Sequence, residues 1–299
     1  MRAGWYLAVI SCLNARASGY VGTTRRSHTV HRGAPRVHAS EDNNEWAKKT
    51  VLSPSRRDLL RGAAVIAWGA FATPAVKNVI DFPPASFKAL ARVIYLDAQL
   101  AAGPAPRVLE LGAGLKLDSV FDDRFNPGSD VVVSDVAFPD DARLLAAAFR
   151  ANVTGYNFRF ERGDATALSQ FSDGSFDVVV CSLTLCSVPS VEAAVSEVLR
   201  VLKPGGVFGF VEHVAVTSED GAGVAPVLRA LSQSVLDPLQ QALAHGCHLR
   251  RDTPSVILDI FGGPACVAQL HRLVNDGMWP VSQQCAGIVV KPIAAVQLS

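Results

Sequence analysis

The sequence predicts an α/β protein built as a doubly wound, largely parallel sheet, and three observations predict it. From residue 84 onward, short runs rich in Val and Leu alternate with longer amphipathic stretches. The short runs are apolar throughout, so neither face of their sheet can be wet, as in parallel sheets covered by helices on both sides. Glycines and acids punctuate the ends of those runs, where doubly wound sheets bind their ligands.

After Pro83-Pro84, the residues Phe87, Leu90, Ala91, Ile94 and Tyr95 make a helical stripe over 86–100. Val108-Leu109-Glu110-Leu111 reads as a strand ended by glycines, and 131–133 as a second strand. A helix is expected over 139–152, a short strand over 157–161, and a nearly continuous apolar run spans 176–185. Val191, Ala194, Val195, Val198, Leu199 and Leu202 give 191–202 a helical stripe, which Lys203-Pro204-Gly205-Gly206 should stop before a strand at 207–211. There is no internal repeat, and a single domain over 81–299 is the economical reading.

The formal net charge of +1 is the sum of two unlike pieces. Residues 1–80 hold 12 basic and 4 acidic residues, leaving 16 basic and 23 acidic for 81–299. An acidic body lacks the Lys and Arg that neutralise phosphates, so nucleic acid is excluded as a partner. The basic excess belongs to an address. Residues 1–40 contain six Arg and no acid, the composition of an organelle transit peptide. The apolar run 5–13 followed by Ala15-Arg16-Ala17 has the order of a secretory signal, too short to span about 30 Å of hydrocarbon. Ser55-Arg56-Arg57-Asp58-Leu59-Leu60 before the mild apolar run 62–76 has the form of a twin-arginine export signal. Stacked in this order, the three signals suit a plastid protein directed to the thylakoid lumen or membrane; a membrane-associated helix over 59–80 in the secretory pathway is the alternative.

Six cysteines suggest a disulfide count, yet Cys12 lies in the address, and Cys181, Cys186, Cys247, Cys266 and Cys285 form no paired spacing. Buried free thiols are expected. Cys247 sits beside His245 and His248, but a fourth ligand at zinc spacing is missing, so no metal is predicted and a structural turn at Gly246 is expected.

The chemistry-bearing residues fall at strand ends. Glu110-Leu111-Gly112-Ala113-Gly114 closes the first strand; glycines let the backbone approach a ligand, and the acid can hold a cationic or hydroxyl-bearing group. Position 117 is Leu117, so the nicotinamide fingerprint fails, and no Gly-Lys-Ser/Thr follows for a phosphate loop. Asp135, about twenty residues on, is placed for the two hydroxyls of a ribose. Asp164 ends the third strand, an acid suited to accept from an exocyclic amine such as that of adenine. Each acid alone is ordinary; three at successive strand ends beside a glycine turn make a pattern.

Three stretches then carry a resemblance: Gly163-Asp164-Ala165; Phe171-Ser172-Asp173-Gly174-Ser175-Phe176-Asp177; and Leu199-Arg200-Val201-Leu202-Lys203-Pro204-Gly205-Gly206. Over roughly 105–215 the chain resembles the class I S-adenosylmethionine-dependent methyltransferases of the type 11 group, near the quinone-biosynthesis enzymes. Cys181-Ser182-Leu183-Thr184-Leu185-Cys186-Ser187-Val188 and Phe210-Val211-Glu212-His213-Val214 are similar to the methyltransferase-like thiol S-methyltransferases. Leu236-Asp237-Pro238 and the segment from Gly246 to Thr253 extend that likeness, which fades beyond; 284–291 could supply the last strand. The resemblance implies a Rossmann-like, seven-stranded, mostly parallel sheet and S-adenosylmethionine as cofactor. It implies that Glu110, Gly112 and Gly114 hold the methionine and ribose portion, Asp135 the ribose hydroxyls, Asp164 and Ala165 the adenine, while Cys181 and Ser182 line the floor near the sulfonium. Where the family pattern has a further glycine, this chain has Lys116, whose charge is unfavourable beside a sulfonium.

Methyl transfer is an in-line displacement that depends mostly on positioning, with the nucleophile within about 3–3.5 Å of the methyl carbon. His213, following Glu212 at a strand end, is the candidate base. Leu185, Cys186 and Glu212 are expected to line the acceptor pocket, with the segments 84–102 and 217–254 as its roof. The stretch 224–243 carries Val227, Leu228, Leu231, Val235 and Leu239 with few charges, so it can cover a greasy site or touch a membrane. The expected acceptor is a small hydrophobic molecule, an alkyl thiol or a quinone or phenol. A second reading stays open: a protein that keeps the fold and binds a lipid or adenosyl ligand without turnover.

Overall fold

The computed structural model describes residues 82–114 and 117–293, all within one compact unit. The address read in 1–80 and Lys116 therefore lie outside the described residues. Seven strands form one sheet in the order β3-β2-β1-β4-β5-β7-β6. They are β1 (Arg107–Leu111), β2 (Asp130–Asp135), β3 (Asn157–Arg162), β4 (Phe176–Ser182), β5 (Leu202–His213), β6 (Val267–Val274) and β7 (Gln283–Val290). The pairs β1 with β2, β2 with β3, β1 with β4 and β4 with β5 are parallel, and β7 runs antiparallel to both β5 and β6. The order reverses between β1 and β4, so the crevice beyond the ends of those strands is where a ligand belongs.

Alternate side chains of the apolar strands feed two cores. On one face Val108, Val131, Val133, Val178 and Val180 meet α1 (Ala85–Ala102), α2 (Asp118–Phe121) and α3 (Asp141–Thr154). On the other, Leu109, Leu111, Val179, Cys181, Phe208 and Phe210 meet α4 (Val191–Val201) and α6 (Thr253–Phe261). The stripe expected on α1 is the buried one: Phe87, Ala91, Ile94, Tyr95 and Ala98 are packed against the sheet. Segment 84–102 is thus a structural layer as well as a candidate roof. α3 starts two residues later than expected because Asp140 caps it, its carboxylate accepting from Arg143 N–H at 3.0 Å.

Two expectations need correction. Lys203-Pro204-Gly205-Gly206 ends α4 but does not precede β5; it lies within it, β5 starting at Leu202. The register with β4 shifts between Phe176 and Val178, a bulge that accommodates a proline without a ladder donor and Gly205 at φ +77°. The single last strand expected over 284–291 is β7, and the chain after Thr253 also adds α6 and the edge strand β6, whose residues are half-buried or exposed and carry little apolar signal. The helix α5 (Val224–Leu243) spans the stretch expected to be amphipathic.

Candidate active site

The glycine turn after β1 is built by two unlike glycines. Gly112 (φ +68°) donates its N–H to Ser134 O at 2.8 Å, and a Cβ there would run into the side chain of Thr184. Thr184 occupies that space because its hydroxyl donates to Leu111 O at 3.0 Å, tying the loop after β4 to the end of β1. Gly112 therefore makes room for protein. Gly114 (φ +67°) faces open space, with nothing within 4 Å of a Cβ placed there. The approach of a ligand to the backbone, expected of both glycines, is available at Gly114.

Asp135, half-buried at the end of β2, faces this turn. Its Oδ2 accepts from Gly114 N–H at 2.9 Å and its Oδ1 from Ala137 N–H at 3.0 Å. Two amides fix the carboxylate, and each oxygen keeps a lone pair for a further donor. The next residue, Val136, is 66 % exposed, an apolar side chain beside the expected ribose acid. At the end of β3, Asp164 is exposed and its Oδ1 accepts from the N–H and hydroxyl of Thr166, both at 2.8 Å; Ala165 is half-buried beside it. Ser134 Oγ, under Gly163, is buried without a hydrogen-bond partner.

Glu110 does not reach into the crevice. It is 2 % exposed, accepting from Tyr95 OH at 3.1 Å and from Ser119 OH at 2.5 Å. The same Tyr95 hydroxyl lies 3.4 Å from Ser182 Oγ, so the end of β4 shares this network. Burial pushes the Glu110 carboxyl up to about 7, against the hydrogen bond from Ser119 and the charge of Arg124. Tyr95 and Ser119 were not legible as site residues, because only the fold brings α1 and α2 beside β1.

The residues expected around the acceptor separate onto two faces of the sheet. Cys181, Leu185 and Glu212 are fully buried on the α4/α6 face. Glu212 Oε1 accepts from the N–H groups of Thr184 and Leu185 at 2.8 and 3.0 Å and lies 3.5 Å from the Cys181 thiol. It holds the loop after β4 from beneath, and burial raises its carboxyl above the usual range. The Cys181 thiol is likewise pushed up by burial. The side chains of Cys181 and Ser182 therefore point to opposite faces, with Ser182 alone on the Glu110 side. Arg251 fastens the same loop by donating to Leu185 O and Val188 O, both at 2.7 Å.

On the α1 face, Cys186 and His213 come together with Cys247. His213 Nε2 lies 2.9 Å from Cys247 Sγ, and all three residues are buried. The hydrogen bond from Cys186, with His213 beside it, holds the Cys247 thiol well below its ordinary range. The same bond, with burial, raises Cys186. His213, expected to act as a base, thus has a thiol as the partner of its Nε2. Among the described cysteines, all five are buried and free. His245 is exposed and His248 half-buried; the turn at His245 (φ +53°) and Gly246 (φ +79°) aims Cys247 inward.

Likeness to known proteins decides the family. The family described as "Methyltransferase domain" matches residues 109–210. The thiol S-methyltransferase TMT1B of Homo sapiens is 36 % identical over 185 residues, which cover 62 % of this chain and 70 % of that protein. The chain belongs to the methyltransferase domain family. The thiol S-methyltransferase TMT1A of Homo sapiens is 36 % identical over 167 residues, 54 % of this chain and 63 % of that protein's length. The demethylmenaquinone methyltransferase of Beutenbergia cavernae is 41 % identical over 111 residues, covering 37 % of this chain and 42 % of that protein. The sheet is the Rossmann-like, mostly parallel sheet of class I methyltransferases.

The cofactor of this family is S-adenosylmethionine, and the residues fit it. The Gly114 backbone is open, the carboxylates of Asp135 and Asp164 face solvent at successive strand ends, and an apolar residue follows each acid. Glu110 lies buried behind them, tied to Tyr95 and Ser119. Asp135 would hold the ribose, with Val136 and Ala165 offering apolar contact to the adenine. Bound there, the cofactor supplies the electrophilic methyl group.

Proposed function

We propose that this methyltransferase-family chain transfers the methyl group of S-adenosylmethionine to a small hydrophobic acceptor, in the first place an alkyl thiol. The observation that carries the reading is the pair of acids at successive strand ends, half-buried Asp135 and exposed Asp164, beside the open Gly114 turn at the reversal of strand order. The choice of thiol is supported by the longer reach of that likeness, 62 % of the chain against 37 % for the demethylmenaquinone enzyme. The residues required of the protein are few, because a thiolate needs positioning more than it needs a base.

The hydrophobic character of the acceptor is supported by α5. Its one buried residue is Gln233, which accepts from Val216 N–H and donates to Val214 O, both at 2.9 Å. Its apolar residues Val224, Val227, Leu228, Leu231, Val235 and Leu239 are 55–74 % exposed. A polar anchor inward and an apolar stripe outward suit a peripheral contact with a membrane, from which a greasy acceptor is delivered. No described helix is long and apolar enough to cross one. The plastid address proposed for 1–80 would set this contact on a thylakoid surface.

The test is turnover by the purified full chain with methyl-labelled S-adenosylmethionine and two acceptor panels, alkyl thiols and demethylated quinols. Labelled thioether is expected. Labelled quinone product with untouched thiols would replace the acceptor class, and absence of cofactor binding at millimolar concentration would overturn the enzyme reading. Asp135→Ala should weaken cofactor binding by about 2 kcal/mol, roughly 30-fold, by calorimetric titration.

A further inference from the structure

The cluster on the α1 face is more than a hydrogen-bonded pair. Three segments deliver it: the loop after β4 brings Cys186, the end of β5 brings His213, and the turn after α5 brings Cys247. Their donor atoms all lie within 4.8 Å of one another. Bonds of ~2.0–2.3 Å around a tetrahedral ion require ligand separations of about 3.5–3.8 Å, so movements the size of a side-chain adjustment close the difference.

We propose that Cys186, His213 and Cys247 form a buried site for a thiophilic metal ion of the zinc class. Two sulfurs and one imidazole are the donor set that soft or borderline ions select. No carboxylate joins the cluster, which disfavours calcium and magnesium.

The surroundings are those of a metal-thiolate site. His248 N–H donates to Cys186 O at 2.9 Å, locking the Cys186 loop against the Cys247 turn through the backbone. Gln240 Nε2 lies 3.6 Å from Cys247 Sγ and Ser187 Oγ lies 3.5 Å from Cys186 Sγ, placing polar groups around both sulfurs. The residues are 2 %, 1 % and 6 % exposed, for Cys186, His213 and Cys247 in turn, so the ion would sit away from bulk solvent. Binding expels the Cys186 thiol proton and the proton shared by His213 and Cys247; nothing is oxidised or reduced. Three protein ligands leave a fourth tetrahedral position for water or another small ligand, the arrangement of open sites.

The sequence spacing conceals the site, since the ligands lie 27 and 34 residues apart and neither His245 nor His248 takes part. The test uses full-length protein stripped with a chelator under reduction and titrated with cobalt(II) as the spectroscopic probe, then with zinc(II). One equivalent is expected, with a thiolate-to-cobalt charge-transfer band and tetrahedral ligand-field bands. Cys186→Ser and His213→Gln should each weaken binding by at least about tenfold. Should those variants not fold, the wild type decides by metal count: native mass spectrometry should show one zinc per chain, and protein whose cysteines have been alkylated in denaturant and then refolded should take up none. Uptake of less than one equivalent, or a cobalt spectrum without the charge-transfer band, overturns the proposal.

Discussion

The two halves of the sheet's carboxyl edge are built on opposite terms. Around β1, β2 and β3 the outermost groups are open, with Asp164 and Gly114 exposed and Asp135 half-buried in front of the buried Glu110 and Ser134. Around β4 and β5 they are closed: Cys181, Cys186, Glu212, His213 and the Cys247 turn are all buried. The open half can accept a ligand with no movement of the chain, since its acids are already fixed by loop amides. The closed half holds its loops with buried carboxylate and thiol contacts, so its polar groups act first on the protein. On the proposed function, the half assigned to the cofactor is preformed, and the half assigned to the acceptor would have to move to admit one.

The strongest way to break this contrast is at Glu212. If it supports the loop after β4, Glu212→Ala strands the amides of Thr184 and Leu185 and should lower stability by about 4 kcal/mol, from two orphaned buried donors and the lost contacts. Denaturant midpoints measure this, and cofactor affinity of the folded protein should stay within twofold. A variant of unchanged stability that loses thiol turnover would move Glu212 into the reacting site.

A second test separates Glu110 from the exposed acids. Its carboxyl is raised from 4.5 to about 7 in the folded protein, so between those values the folded state binds a proton that the unfolded chain releases. Stability should thus fall as pH rises from 4.5 to 7, by about 3 kcal/mol at this group. Chemical denaturation across that range should show the slope in the wild type and lose this contribution in Glu110→Gln. An unchanged slope in the variant would place the ionised carboxylate in contact with water, and so in the open half.

The same contrast governs what the residues disclosed by themselves. The layered sheet was legible because the central strands are apolar on both faces, and Asp135 and Asp164 because they stand at or just beyond the ends of β2 and β3. Glu110 was legible as an acid at a strand end, but not as a buried one, since its partners Tyr95 and Ser119 come from helices whose docking no local pattern encodes. Leu185, Cys186, Glu212 and His213 stand in two separate segments, 181–188 and 210–214, that the resemblance and the strand ends single out. Strand alternation puts Glu212 and His213 on opposite faces of β5, which period two already dictates. The partnership of His213 with Cys247 depends on the turn at Gly246, a contact across 34 residues.

The smallest effect discriminates most finely, at the two glycines of one turn. Both have φ near +67°, so an alanine at either costs about 1 kcal/mol in backbone strain. At Gly112 the new methyl also meets Thr184, so stability should fall further, and Thr184→Ala should recover part of that excess. At Gly114 the methyl enters open space, and the loss of stability should stop at about 1 kcal/mol. Its larger consequence should appear in calorimetric titration with S-adenosylmethionine, because that space is the one the cofactor is assigned. Gly114→Ala with full cofactor affinity would show that the ligand keeps away from this backbone, and would shift the cofactor toward Asp135 and Val136.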